Sequence, residues 1–235
     1  MVRFLALNAF IVIHTIVLCL WGFLVSFFDK DGKLVHFYAA VPWAKMILWV
    51  CGVKVRVKGL ENVQSEVPHI YMTNHQSYFD IFALLASIPA DFKFILKQEL
   101  MKLPLLGFGM RRAGYIGIDR DDPRKAIKSV NEAAERIRKG ASVLIFPEGT
   151  RSVDGRLQPF KPGGFHLALK SGCDIVPVAI SESHRIVPKG SLKIEKGTFG
   201  LSIGQPIPVK DYSKKDMEQL MLRVREAMIS QMRAS

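Results

Sequence analysis

Two stretches at the start of the chain break the alternation of polar and apolar positions that a water-soluble domain shows. From Phe4 to Phe28 there is no Asp, Glu, Lys or Arg, an apolar run long enough for a helix to cross a hydrocarbon core of roughly 30 Å. A cleaved secretory leader has an apolar stretch of roughly 7 to 15 residues and a small-residue cleavage site, neither of which fits, so the segment is expected to stay attached. A second stretch, Leu34 to Val50, is apolar and aromatic but contains Pro42 and Lys45. It is short for a comfortable span and suits a helix lying in the interface. Trp21, Trp43 and Trp49 fall in this region, as rings at headgroup depth do. A pair of helices packed on a soluble core fits the second stretch equally well and the first poorly.

After Cys51-Gly52 the pattern changes to short apolar runs alternating with amphipathic segments, which argues for an α/β domain. Strands are predicted at Val53–Val57, His69–Thr73, Phe92–Leu96, Tyr115–Ile118, Ser142–Phe146 and Ile175–Ile180, then at Leu192–Ile194 and Leu201–Ile203. A helix is predicted from Pro123 to about Lys139, with Ala126, Val130, Ala133, Ala134 and Ile137 on one face and Gly140 closing it. Met217, Leu220, Met221, Val224, Met228 and Met232 repeat at helical spacing among Lys and Arg residues, a helix expected to dock on the sheet, with membrane contact as the second role. The fold class is therefore α/β, a mixed sheet flanked by helices, with an N-terminal membrane-embedded helical segment. Its division falls at 1–52 for the anchoring helices and 53–235 for the α/β domain.

Hydrophobic residues make up 49% of the chain and charged residues 23%, which excludes a disordered protein. Lys and Arg number 33 against 21 Asp and Glu, a formal charge of +12. That balance favours an anionic partner such as lipid headgroups, a phosphorylated small molecule or nucleic acid, and does not choose among them. Cys19, Cys51 and Cys173 are isolated, so neither a disulfide framework nor a zinc site is indicated and a reducing compartment is the simplest reading.

Two segments can carry chemistry. Tyr71-Met-Thr-Asn-His-Gln-Ser-Tyr-Phe-Asp80 leaves a predicted strand and enters a predicted helix, which puts His75 at a strand end, where α/β sheets place their sites. Imidazole can take a proton from an alcohol near neutral pH, and Asp80 could fix its tautomer. On spacing alone the plainer reading is stronger: Ser77 to Asp80 is an ordinary capping box, and an Asp committed to capping could not also hold the imidazole. The second segment, Phe146-Pro-Glu-Gly-Thr-Arg-Ser152, also follows a predicted buried strand. Glycine lets backbone N–H groups approach a ligand and the Arg151 guanidinium suits phosphate oxygens, although a turn with a surface Glu–Arg pair would look the same.

Together these segments resemble the glycerolipid acyltransferase family: Asn74-His75 with Asp80 five residues on, then Phe146-Pro-Glu-Gly-Thr-Arg-Ser152. The match is closest to its 1-acylglycerol-3-phosphate acyltransferases. Two further blocks fit in order, Lys97-Gln-Glu99 through Pro104 and Gly107 to Gly114-Tyr-Ile-Gly-Ile-Asp-Arg120, and Val176-Pro-Val-Ala-Ile180. The resemblance covers about Val53 to Ile207, and the apolar N-terminus resembles the membrane-embedding helices of bacterial members. One departure is Gly117, where many members carry an aromatic.

The resemblance implies catalytic roles for His75 as general base and Asp80 as its orienter. It implies substrate binding by Lys97, Arg120, Glu148, Gly149, Thr150 and Arg151, with Arg120 and Arg151 on the acceptor phosphate and Glu148 on the glycerol hydroxyl. It also implies transfer of a fatty acyl group from acyl-CoA or acyl carrier protein, both donor substrates, to the sn-2 hydroxyl of lysophosphatidic acid. No cofactor and no metal is expected. The expected partners are membrane lipids, not nucleic acid, and the expected location is the bacterial inner membrane with the catalytic domain on the cytoplasmic side. No cysteine lies beside the His75 or Arg151 segments, so no covalent acyl-enzyme is required. The rival readings are the same chemistry on glycerol 3-phosphate or on a lysophospholipid with a larger headgroup, and a non-catalytic basic protein that binds membranes or nucleic acid.

Overall fold

The structure is a computed structural model describing residues 1–119 and 121–233. Helix α1 spans Val2–Val25. After a short turn the chain re-enters helix at α2 (Lys33–Val35), passes through a π-helical turn at His36–Ala40 and continues as α3 (Val41–Cys51). Pro42 accounts for the irregular turn. It has no N–H, so the carbonyl of Tyr38, four residues back, lacks its helical donor. The indole Nε1 of Trp21 donates to that oxygen at 2.9 Å instead. Gly22 lets the helices close up, since a Cβ there would sit 3.3 Å from that of Ala39. Gly52, at φ 71°, ends α3 in the left-handed conformation that favours glycine.

Both Val2–Phe28 and Lys33–Cys51 are long and apolar enough to cross a membrane, which points to membrane association. They differ in how far the protein covers them: 11% of the apolar window of the first is buried against 39% of the second. Val12, Ile13, Val17 and Leu20 of α1 are exposed. Helix α3 is two-sided. Ala44, Ile47, Leu48 and Cys51 enter the main core, while Met46 and Trp49 face outward. The core-packing expectation for that stretch therefore holds for one face of the helix, and the opposite face is exposed and apolar.

Seven strands form the sheet: β1 (Val53–Lys58), β2 (Ile70–Thr73), β3 (Phe92–Lys97), β4 (Ile116–Ile118), β5 (Ser142–Ile145), β6 (Ile175–Ser181) and β7 (Gly197–Ile203). Their order is β1-β7-β6-β2-β5-β3-β4. Strand β7 pairs antiparallel with β6, and the other neighbours are parallel. The sheet is thus mixed, as expected for this α/β fold. Central strands are buried on both faces and alternate between two cores. Tyr71 and Leu144 join the core shared with α3 and α4 (Phe79–Ser87), while Ile70, Met72, Val143 and Ile145 join the core on the opposite face. That second core is covered by α6 (Pro123–Arg138), α7 (Gly163–Ser171) and α8 (Met217–Arg233). Helix α5 (Leu106–Arg112) lies beside α1. The carboxyl ends of β2, β5, β3 and β6 share one edge.

Two details depart from the sequence pattern. Leu192–Ile194 is not a strand. The carbonyls of Leu192 and Ile194 accept from Asn8 and Arg3 of α1 instead of from a ladder, so a short apolar triplet serves as a docking point for the first helix. At Gly117 a Cβ would lie 2.1 Å from Gln98 Oε1, so Gln98 fills the space that a side chain there would need.

Candidate active site

Strand β2 ends at Thr73, and the next residue stitches the chain to β6. Asn74 Nδ2 donates to Ile180 O at 2.8 Å and Asn74 Oδ1 accepts from Ile180 N at 2.7 Å. The amide thereby replaces one ladder pair where the backbone turns away, and His75 leaves the sheet from a fixed point.

Four contacts then hold His75. Its N–H donates to Glu148 Oε1 at 2.7 Å and its carbonyl accepts from Ser152 N at 2.7 Å. Its ring stacks on Phe146 with centroids 4.0 Å apart. Its Nδ1 is 2.7 Å from Asp80 Oδ2. Asp80 sits in the first turn of α4 with 0% exposure. Its Oδ2 also accepts from the backbone N–H groups of Gln76 at 2.7 Å and Ser77 at 2.9 Å. Two N–H groups already point at that oxygen, so it can only accept, and Nδ1 of His75 must carry the proton. Nε2 then presents its lone pair, as a base requires.

The capping and orienting readings turn out to be compatible. Asp80 accepts from Ser77 N, which is half of a capping box, while the Ser77 hydroxyl donates to Val187 O at 3.0 Å and accepts from Phe79 N at 3.3 Å. One buried carboxylate both starts the helix and fixes the imidazole.

The second segment folds against the first. Gly149 adopts φ 73°, so the chain doubles back after Glu148 and brings Arg151 over the Tyr78 ring, with Cζ 3.7 Å from the centroid. Arg151 Nη1 is buried and has no hydrogen-bond partner among the described residues. Lys189 Nζ donates to Thr150 Oγ1 at 3.2 Å and to Arg151 O at 2.9 Å. Glu148 is 3% exposed, and its second oxygen accepts from Gln158 N at 2.7 Å. Burial pushes its carboxyl up to about 7, against the pull of those two N–H groups.

Of the residues singled out from the sequence, His75, Asp80, Glu148, Gly149, Thr150 and Arg151 come together at one edge of the sheet. Lys97 ends β3 on the same edge but pairs with Glu99 at 3.5 Å and Asp121 at 3.8 Å. Arg120 lies outside the described residues. The concave surfaces at Glu226–Arg233 and around Pro68 and Cys173 lie away from this cluster, so the site is identified by its chemistry.

The sequence reading missed the turn after β6. Ser183, 0% exposed, donates its hydroxyl to Asp80 Oδ1, the oxygen that does not face His75. Gln76 Nε2 donates to Ile180 O and Gly155 O, both at 2.9 Å, and His184 Nδ1 lies 3.2 Å from Gln76 Oε1. Glu182, at φ 64°, takes a backbone conformation uncommon for a non-glycine residue and delivers Ser183. The only local signal was a polar run directly after a buried strand.

Residues 54–181 match the family described as Acyltransferase. The chain is 39% identical over 185 residues to a chloroplastic 1-acyl-sn-glycerol-3-phosphate acyltransferase, BAT2, of Brassica napus, covering 78% of this chain and 53% of that one. It is 31% identical over 185 residues to 1-acyl-sn-glycerol-3-phosphate acyltransferase alpha of Homo sapiens, covering 78% and 65%. The crystal structure of the 1-acyl-sn-glycerophosphate acyltransferase PlsC of Thermotoga maritima is similar with a TM-score of 0.85 at 29% identity, covering 99% of this chain and 96% of that one. The chain spans about half the length of the chloroplastic relatives of Brassica napus and Arabidopsis thaliana that it matches.

Proposed function

The chain belongs to the acyltransferase family, and from that premise we propose that it moves a fatty acyl group from an acyl thioester to the sn-2 hydroxyl of 1-acyl-sn-glycerol 3-phosphate, giving phosphatidic acid. The observation that carries the reading is the pairing of His75 Nδ1 with Asp80 Oδ2 at 2.7 Å, with the guanidinium of Arg151 stacked on Tyr78 of the same segment and its Nη1 without a partner among the described residues. The relatives' names give the acceptor: an alcohol that carries a phosphate.

In this reaction Nε2 of His75 takes the hydroxyl proton as the glycerol oxygen attacks the thioester carbonyl. The C–O bond forms, the C–S bond breaks, and the imidazolium returns its proton to the leaving thiolate. Asp80 stabilises the imidazolium between those steps. Arg151 holds the acceptor phosphate, helped by the Gly149–Thr150 turn, with Lys97 and Arg120 as further phosphate ligands. The donor is acyl-CoA or acyl carrier protein, used as a substrate, and no cofactor is required. The exposed apolar faces of α1 and α3 support a site at a membrane, where such an acceptor would reside. We assign the bacterial inner membrane, cytoplasmic side, because acyl thioesters occur there.

The test is thiol release by the purified full chain in lipid vesicles supplied with acyl-CoA. Release that depends on lysophosphatidate and matches phosphatidate formed supports the proposal. Release that is indifferent to lysophosphatidate, or greater with glycerol 3-phosphate, overturns it.

A further inference from the structure

We infer that Glu148 is a positioning residue that fixes the backbone of His75, and not a ligand of the acceptor's glycerol hydroxyl. The inference rests on the reading of His75 as the base. The carboxylate is a bridge between two peptide groups far apart in sequence. Oε1 accepts from His75 N and Oε2 from Gln158 N, each at 2.7 Å. At 3% exposure the side chain offers almost no surface to a substrate. The bridge continues beyond Gln158, because Arg225 of α8 donates to Gln158 O at 2.7 Å and Leu157 O at 2.9 Å. Lys161 N donates back to Pro147 O at 2.8 Å. His75 is thus tied through Glu148 to a segment that α8 holds in place.

The arrangement explains why this position needs a carboxylate. Two N–H groups approach from opposite sides, so both terminal atoms must accept. A glutamine would turn its NH2 toward one of those donors, losing that bond and placing donor against donor. A buried N–H left without an acceptor would pull the His75 backbone toward some other partner. The imidazole would lose its alignment with Asp80, and misplacement of a reacting group by about 1 Å can cost on the order of 10²-fold in rate. Burial and the nearby Asp80 oppose ionisation of Glu148, while Arg225 and the two N–H groups favour it.

The test is Glu148→Gln in the full chain in vesicles, with three readouts. The variant is expected to lose about 10²-fold in kcat with an unchanged KM for lysophosphatidate. Any hydrolysis of acyl-CoA without acceptor should fall by the same factor, since the same imidazole would activate water. The low-field Nδ1 proton of His75, followed by NMR, should weaken or vanish, and this readout does not depend on catalysis. A raised KM with hydrolysis intact would make Glu148 an acceptor ligand and overturn the inference, as would an unperturbed Nδ1 proton. An active His75→Ala variant would remove the base assignment alone and leave the Nδ1 readout to decide the role of Glu148. If Glu148→Gln does not fold, Arg225→Met loosens the same bridge from its far end. It should give a smaller kcat loss with the same KM, and a KM effect there would count against positioning.

Discussion

The guanidinium of Arg151 sits over the ring of Tyr78, 3.7 Å from Cζ to the ring centroid. Tyr78 belongs to the segment that holds His75 and Asp80, so this stack ties the arginine proposed to bind phosphate to the proposed base. A planar cation on an aromatic face keeps its N–H edge turned outward, the orientation in which a guanidinium reads phosphate oxygens. At a half-exposed site such a contact contributes about 1 kcal/mol. Tyr78→Leu is therefore expected to raise the KM for lysophosphatidate about fivefold with little change in kcat, and Tyr78→Phe to behave like the parent. Arg151→Ala should cost about 1.5 to 3 kcal/mol in acceptor binding. Steady-state kinetics with acceptor and donor varied separately checks both.

His75→Ala should lower turnover by about 10² to 10⁴ while the melting temperature stays near that of the parent. Asp80→Asn should lose both activity and stability. Its carboxylate serves His75, Gln76 N, Ser77 N and Ser183 in full burial, and an amide cannot accept from all of them. A stability loss of about 1 to 3 kcal/mol follows. Thiol release beside a thermal melt separates the two variants, and an active His75→Ala would sink the catalytic assignment.

Ser183→Ala removes the donor on the far oxygen of Asp80. Turnover should fall several-fold with KM unchanged, since the hydroxyl acts through Asp80 and touches no substrate. Unchanged turnover in Ser183→Ala would restrict Ser183 to packing.

Glu148 should also leave a mark on stability. Its carboxyl lies near 7 in the folded chain against a reference of 4.5. The folded state therefore holds more protons than the unfolded state between those values, and stability falls as pH rises through that window. The difference is worth about 3 kcal/mol. Denaturant midpoints measured from pH 4 to pH 8 should show the decline in the parent and a flatter curve in Glu148→Gln.

Removing residues 1–28 should weaken sedimentation with vesicles and leave the sheet folded, because α1 is largely exposed. Removing residues 1–50 should prevent folding, since Ala44, Ile47 and Leu48 of α3 are core residues. Each large buried side chain lost costs about 2 to 5 kcal/mol. Circular dichroism of both truncations decides the point.

Most of the α/β framework was legible because its central strands are continuous apolar runs with breakers between them. Val53, Phe92, Ser142 and Ile175 begin strands where the pattern placed those starts. Leu192–Ile194 misled because an apolar triplet does not reveal what its carbonyls will bond. The residues around the base were legible only in part. His75 and Asp80 are neighbours in sequence, whereas Ser183 reaches Asp80 across 103 residues, and no local pattern encodes that contact. Glu148 was visible as a carboxylate beside an arginine, but its two peptide partners were not. Its place in the site follows from chain path, which only the folded structure supplies.

The bond from Trp21 to the Tyr38 carbonyl has a spectroscopic consequence. The three tryptophans are Trp21, Trp43 and Trp49, and all lie on the two N-terminal helices. Indole emission from this protein therefore reports chiefly on those helices and their surroundings, with Trp43 alone set against the main core, beside Phe82. Trp21 donates to a carbonyl set free by Pro42, so its emission maximum should be the most sensitive to parting of the helix pair. Trp49, 76% exposed, should shift to the blue on transfer from detergent-free buffer to lipid. Far-ultraviolet dichroism follows the sheet itself, and its signal and that of Trp21 and Trp49 need not move together.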